Sequence, residues 1–405
     1  MKKSLIALAV FGMFTGAALA DGNSVTLYGK IDAGVTHFTG LAPAGGGAGT
    51  VSSTGLSSGI TGGDRIGVKG TEDLGGGLKV LFDAETGFCG TGNNQMNKTN
   101  AASAQTFCTG SGYFMGRQAY LGMTGDFGTV LAGRLYDAIF GAEATLDPFG
   151  AGYTGQSANL DVVVAQLGLI RANQAVAYVT PNLSGFTGTF AYVLAAGKGT
   201  VAQASTTVAN TASAVVGYTA SGEPIYASTT TNAGAANVPR AFDLKGEYAN
   251  GPIYAVLDYA QVSNAVTNSA GLNDGKVKVW VAGASYDFGV AKVVAEYQTA
   301  KKDYHTGKTD FWMLGATVPV GAGSILASYG SAKNDMDGLT NATAKQYAIG
   351  YTYNLSKQTS LYTSYAHLTN DLNTAYTVGD ATDAFGAGIA NQASSGFAVG
   401  MVHNF

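Results

Sequence analysis

From Ser24 onward the chain runs in segments of about ten residues in which apolar and polar side chains alternate, the period expected of strands with one apolar and one wet face. Leu27, Ile31 and Val35 alternate with Tyr28, Lys30 and Asp32, and Ile66 and Val68 alternate with Arg65 and Lys69. Further along, Phe242 and Leu244 alternate with Asp243 and Lys245, and Val277, Val279 and Val281 share one phase of a run that contains Trp280. A soluble β-protein gives the same alternation, so the pattern establishes strands without establishing their solvent.

The connections carry more. Short turns rich in Gly, Asp, Asn and Pro are predicted at 73–77, 125–128, 181–185, 250–252, 287–289, 320–323 and 354–357. Longer polar connections fall at 39–63, 89–112, 137–170, 195–240, 261–275, 300–309, 332–343 and 369–395. Seven short and eight long connections in strict alternation join sixteen strands and leave both ends of the chain on the short-turn side. The expected fold is all-β, a 16-stranded antiparallel transmembrane β-barrel, and a closure of that size leaves a water-filled lumen. The fourth long connection, 200–237, is mostly Ala, Thr, Ser, Val and Gly with Glu223 its one charge, which reads as a variable surface loop.

The two ends point to a bilayer. Residues 1–20 read as a secretory signal peptide, with Lys2 and Lys3 before an apolar stretch and Ala18-Leu19-Ala20 as a cleavage site. The last strand ends on Phe405, and no stretch beyond the signal approaches 18 unbroken apolar residues. A closed barrel is then the one backbone left that satisfies its own hydrogen bonds in lipid. Residues 21–405 form one pore domain: 59 Gly, 22 Tyr and 18 Phe beside 7 Pro and 12% charged residues suit one barrel better than several soluble domains. Without Lys2 and Lys3 there are 20 basic against 26 acidic side chains, a net of −6 with no polybasic run, so no nucleic-acid partner is expected.

Taken in order, several stretches resemble the Gram-negative general porins of β-proteobacterial type across the whole mature chain. They are Ser24-Val-Thr-Leu-Tyr-Gly-Lys-Ile-Asp-Ala-Gly-Val35, Arg65-Ile-Gly-Val-Lys-Gly-Thr-Glu-Asp-Leu-Gly-Gly-Gly-Leu78, Gly116-Arg-Gln-Ala-Tyr-Leu-Gly122, Gly125-Asp-Phe-Gly-Thr129, Gly133-Arg134, Tyr351-Thr-Tyr-Asn-Leu-Ser-Lys357 and His403-Asn-Phe405. The resemblance implies a homotrimeric channel in the cell outer membrane, set in lipid and lipopolysaccharide with both termini periplasmic. Its third long loop folds inward to face a ladder of arginines, and it passes small hydrophilic solutes and ions without catalysis or cofactor.

Five arginines occur in the chain, Arg65, Arg117, Arg134, Arg171 and Arg240, none after residue 240, whereas lysines are scattered. Guanidinium is always charged and rigidly forked, which suits a narrow aqueous wall. Arg65 and Arg134 sit in the phase opposite Ile66/Val68 and Leu131/Leu135 and are expected to face water. Arg117 shares its phase with Leu121 and Met123, so it and Arg171 are placed inside because an unpaired Arg at the lipid midplane costs about 2–4 kcal/mol. Arg65, Arg117 and Arg171 also match the family's basic-wall motifs, with Arg134 a fourth member. Rim positions or structural carboxylate partners remain the alternative for each.

The third loop carries Asp137, Glu143, Asp147 and Asp161 and no base. Its Asp147-Pro-Phe-Gly150 departs from the acidic-Pro-Glu-Phe-Gly of relatives. Asp137, Glu143 and Asp147 are the expected constriction acids, confronting the arginines across the lumen in a transverse field, with solvated loop acids as the alternative. Four arginines against two or three carboxylates point to weak anion preference. Lys79, Asp83 and Glu85 share a phase and add charge of both signs to the lumen.

Cys89 and Cys108, the two cysteines of an exported chain, bracket the second long loop and are expected to form a disulfide. Two Cys with no nearby His make no zinc spacing, and no metal site is expected. Aromatic pairs such as Tyr286/Phe288, Phe311/Trp312 and Tyr362/Tyr365 read as interfacial girdles. An outer-membrane barrel hydrolase would need a nucleophile, base and orienting group, and no motif selects one around His367. A substrate-specific porin, with aromatic slides in the lumen, stays the runner-up.

Overall fold

The structure, a computed structural model, describes residues 23–43, 49–91, 114–161, 170–194, 215–218, 224–226, 240–267, 273–381 and 388–405. The expected signal peptide and Cys108 lie outside the described residues.

The first half of the chain contributes β1 (Ser24–Leu41), β2 (Val51–Ser58), β3 (Asp64–Gly75), β4 (Leu78–Phe88), β5 (Gln118–Gly125), β6 (Gly128–Tyr136), β7 (Arg171–Val179) and β8 (Phe186–Val193). After the short pair β9 (Val215–Tyr218) and β10 (Pro224–Tyr226) come β11 (Arg240–Asn250), β12 (Ile253–Thr267), β13 (Asn273–Asp287), β14 (Lys292–Lys302) and β15 (Thr309–Val320). The last four are β16 (Gly323–Asn334), β17 (Thr343–Asn354), β18 (Thr359–Asn370) and β19 (Ser394–Asn404). Leaving aside β2, β9 and β10, which belong to long connections, sixteen antiparallel strands make the wall, each paired with the next.

β1 closes the ring. On one edge Lys30 to Thr39 pair with Asn404 to Ser395 of β19. On the other, its first half pairs with β3 (Ser24↔Thr71 to Lys30↔Arg65) and its second half with β2. The Gly29 N–H donates to the Phe405 carbonyl at 2.9 Å and the Phe405 N–H returns the bond to Gly29 at 3.1 Å. Closure leaves no wall edge to be desolvated in lipid.

Alternation sorts the side chains as the sequence predicts. Leu27, Ile31 and Val35 are exposed on the outer face, while Asp32 between them is buried. The seven short turns lie where expected, but the fifth long connection is shorter than 261–275, because β12 and β13 continue pairing through an irregular register at Val266↔Gly275.

The third long connection leaves β6, forms helix α1 (Ala138–Leu146) and lies inside the lumen against β11 to β14. Two glycines make room for it. A Cβ on Gly283 would come within 2.3 Å of Leu146, and one on Gly315 within 2.4 Å of Pro148. Ile139, Leu146, Phe149 and Leu160 pack there against Val279, Val281, Phe311 and Met313. Each such side chain removed from water is worth about 1.5–3 kcal/mol. Val277, Val279 and Val281 therefore face inward and Trp280 outward, and Phe311 and Tyr362 are buried interior residues, not members of a girdle. Beyond α1 the loop returns along the wall: the Tyr153 N–H donates to the Ile60 carbonyl at 2.7 Å, Thr154 bonds Ser364 on β18, and Asn159 donates to Gln346 on β17.

Candidate functional site

By pairing order, β1, β3 and β4 stand half the circumference from β12 to β14, so the lumen is narrowed between α1 and the opposite wall. That wall is cationic. Its geometry begins at the turn before β3, held by Asp32: the Thr61 N–H donates to Asp32 Oδ2 (2.6 Å), and Tyr362 donates its hydroxyl to Oδ1 (2.6 Å). The turn presents two carbonyls to the lumen. Thr61 O accepts from Lys30 Nζ at 2.7 Å, and Gly62 O accepts from both Arg65 and Arg117 at 3.2 Å.

Glu85 on β4 is the shared counter-ion. Arg117 Nε lies 2.6 Å from its Oε1 and Arg65 Nε 3.5 Å from its Oε2. Tyr28 donates its hydroxyl to Asp83 (2.8 Å) and Glu85 (3.1 Å), and Lys69 sits 4.9 Å over the Tyr28 ring. The Tyr136 hydroxyl joins the next pair, accepting from Arg117 and from Arg171 at 2.7 Å each, with the Arg171 guanidinium 4.5 Å from its ring centre. Lys30, Arg65, Lys69, Arg117 and Arg171 thus meet four carboxylates, Asp83 and Glu85 on β4 and Asp32 and Asp64 about the turn that holds Lys30.

Three of the four expected arginines come together and one does not. Arg117 escapes the phase of Leu121 and Met123 because it precedes β5, after a left-handed Met115 (φ 60°), and its side chain swings inward. Arg134 is a correction. It lies where the β6–β7 register shifts, between Gly133 (φ 145°) and Leu135, while Leu131 and Leu135 are buried with Ala172, Ala175 and Ala177 on an apolar inner stripe. Its Nε donates to Gly116 O at 2.8 Å and another nitrogen bonds Asn173, outside the Glu85 cluster.

The loop acids are also placed differently from expectation. Asp137 caps α1, and the Ile139 N–H it receives at 3.4 Å is shared with Asp243 of the wall at 2.9 Å. Glu143 is fully buried and accepts from the Ser157 hydroxyl at 3.0 Å. Asp147 accepts the N–H groups of Phe149, Ala151 and Ser157 at 2.9–3.0 Å. None of the three pairs with an arginine among the described residues. Burial, reinforced by neighbouring carboxyls, holds Asp137 and Glu143 well above the usual carboxylate range, and burial pushes Asp147 up to about 6. These side chains seat the loop and do not line the passage.

Lys30, Lys69, Tyr28 and Tyr136 are the members that sequence reasoning missed. The inward phase of β1 and β3 marked Lys30 and Lys69, but lysine was set aside as scattered. Among the described residues no group of three or more His, Cys, Asp or Glu side chains is disposed to hold a metal.

Residues 5–374 match the family model for the Gram-negative porin. Outer membrane porin protein 32 of Delftia acidovorans is 33% identical over the full length of both chains. An outer membrane porin protein of Bordetella pertussis is 33% identical over 73% of this chain and 69% of its own. Among solved structures, an anion-selective porin from Comamonas acidovorans superposes with a TM-score of 0.70 at 29% identity, covering 95% of this chain and all of its own.

Proposed function

The chain belongs to the Gram-negative porin family, a family of non-enzymatic outer-membrane channels, and from that premise we propose that it is a weakly anion-selective porin for passive diffusion of small hydrophilic solutes. It acts as a homotrimer with both termini periplasmic, residues 1–20 removed on export and Cys89 bonded to Cys108 in the oxidising compartment.

The observation that carries this reading is the gathering of five cations on one wall, three of them guanidinium groups, against four carboxylates of which Asp32 and Asp64 are taken up by the backbone of the turn, while the loop acids are turned away from the passage. Fixed charge at a constriction sets ion preference, because low-dielectric walls concentrate its field. The guanidinium groups are pinned by Glu85, Gly62 and Tyr136, so an ion meets positive charge at fixed positions. No single site encloses it, which allows entry and release. The Comamonas acidovorans relative is itself anion-selective, which supports the same sign here.

Planar-bilayer recording in a tenfold KCl gradient tests the reading. Large ohmic steps, commonly in threes, with a reversal potential on the chloride side are expected. Replacing Arg65, Arg117 and Arg171 together by Ser should shift that potential toward potassium and enlarge the step; an unchanged potential refutes the assignment. Steps that saturate and are blocked by one sugar or amino acid would favour the substrate-specific alternative.

A further inference from the structure

The inward loop leaves and re-enters the wall through one narrow neck. Tyr136, the last residue of β6, is the register partner of Arg171, the first of β7, and the Asp137 N–H donates to the Ile170 carbonyl at 3.1 Å. Helix α1 begins two residues beyond Tyr136. Any displacement of α1 is therefore passed to a tyrosine and an arginine that both belong to the cationic wall.

The Tyr136 hydroxyl anchors charge without neutralising it. Arg65 and Arg117 share Glu85, whereas Arg171 forms no ion pair with a described residue and its Nε is buried without a hydrogen-bond partner among them. Among the described residues the Tyr136 hydroxyl is the only acceptor that the Arg171 guanidinium finds, at 2.7 Å, and the same oxygen accepts from Arg117 at 2.7 Å. Two guanidinium groups are thereby held within about 5 Å of each other by a neutral oxygen, although like charges at that distance repel. Without that oxygen Arg117 keeps Glu85 and Gly62, and Arg171 is released to swing away.

The ring carries the second half of the arrangement. Arg171 lies over it, 4.5 Å from its centre, and the ring stacks on Phe140 of α1 with centroids 6.0 Å apart and planes inclined by 14°. Ile139, Ala142 and Leu146 of α1 are buried in the core, whereas Phe140 is half-buried and reaches back to the neck. An aromatic pair attracts beyond what burial alone gives, so the tyrosine ring follows the helix and the guanidinium follows the ring.

We propose that Tyr136 is the specificity-determining joint of the channel: its hydroxyl gathers Arg117 and Arg171 at the constriction, and its stack on Phe140 makes that gathering depend on where α1 sits. Anion preference and pore width then change together. Tyr136 is a positioning residue, since it acts through the two arginines. The inference rests on the channel reading above.

Reversal potential of the full-length protein in a KCl gradient across a planar bilayer tests it. Tyr136→Phe keeps the ring, the stack and every formal charge, so a change in potential reports position alone. The variant should lower the anion-to-cation permeability ratio about twofold, the effect of moving one cation about 4 Å further from the ion path at an effective dielectric constant of about 20 with screening. Tyr178→Phe, which removes an outward hydroxyl bonded to the Phe127 carbonyl, should leave the ratio unchanged. Phe140→Ala should shift the potential in the same direction as Tyr136→Phe and add nothing on that background, a non-additivity that independent structural roles do not produce. A Tyr136→Phe channel with the wild-type potential overturns the proposal, and so do additive shifts from the two substitutions. The readout is a difference between variants: a wild-type potential on the potassium side refutes the anion reading and leaves this test in force. If Tyr136→Phe is not recovered folded, Phe140→Ala alone decides, and an unchanged potential overturns the proposal.

Discussion

Replacing Glu85 by Gln removes the one carboxylate that both Arg65 and Arg117 share, with little change in shape. The Arg117–Glu85 pair is nearly dry, with side chains 8% and 5% exposed, so leaving the cation without its counter-charge costs about 3 kcal/mol of barrel stability. Lumen charge at the constriction rises by one positive unit. For an ion passing about 8 Å away at an effective dielectric constant of about 20, that unit is worth about 2 kcal/mol, and screening at about 0.1 M salt leaves about 1 kcal/mol. The anion-to-cation permeability ratio should therefore rise about fivefold, read as a reversal potential closer to the chloride limit in a KCl gradient. Urea titration of the folded protein measures the stability loss. A potential that stays put or moves toward potassium would show that Glu85 does not face the conducting path.

Other outcomes follow from the seat of the inward loop and from the second long loop. The raised carboxyl of Asp147 favours the folded loop when protonated; that stabilisation, about 3 kcal/mol from a pKa of about 6, is complete below pH about 4 and is lost as pH climbs through 6. Glu143, also raised by burial and neighbouring carboxyls, loses its share in the same sense as pH rises, so current noise and mean conductance should rise with pH above about 4, and Glu143→Gln should flatten part of that rise; noise that falls with pH contradicts the seating. Gly283→Val drives a side chain into Leu146, costing about 1–3 kcal/mol and displacing α1, so single-channel conductance should increase. Cys89→Ser should cost about 3 kcal/mol if it opens a loop of roughly twenty residues, with a mobility shift on non-reducing gels that wild type shows only after reduction.

The wall was legible because its grammar is local. A two-residue period and Gly- or Asp-rich turns such as Gly75-Gly76-Gly77 are set by neighbours in sequence, and they located the sixteen strands to within a few residues. Arg65 followed from the same period. Arg134 did not, because period two gives two faces without saying which is inner and is broken by the register shift between Gly133 and Leu135; on β6 the apolar phase of Leu131 and Leu135 is the buried one. The loop acids failed for another reason. Whether Glu143 points across the lumen or into the wall depends on how α1 rolls over Gly283, whose contact with Leu146 joins positions 137 residues apart and is encoded by no local pattern. Glu85 shared a lumen phase in the sequence, but its role as common counter-ion needed Arg117 to leave its strand.

The seam between β1 and β19 joins the earliest and the latest synthesised parts of the wall. While β1 and β19 are unpaired, the sheet has two open borders, each a template for another copy of itself. The reciprocal Gly29–Phe405 bonds accordingly shut the ring: without β19, β1 is left with no mate on that edge and the wall stays open. Assembly of this molecule is all-or-none at its zipper, and errors at residue 405 are felt at residue 29.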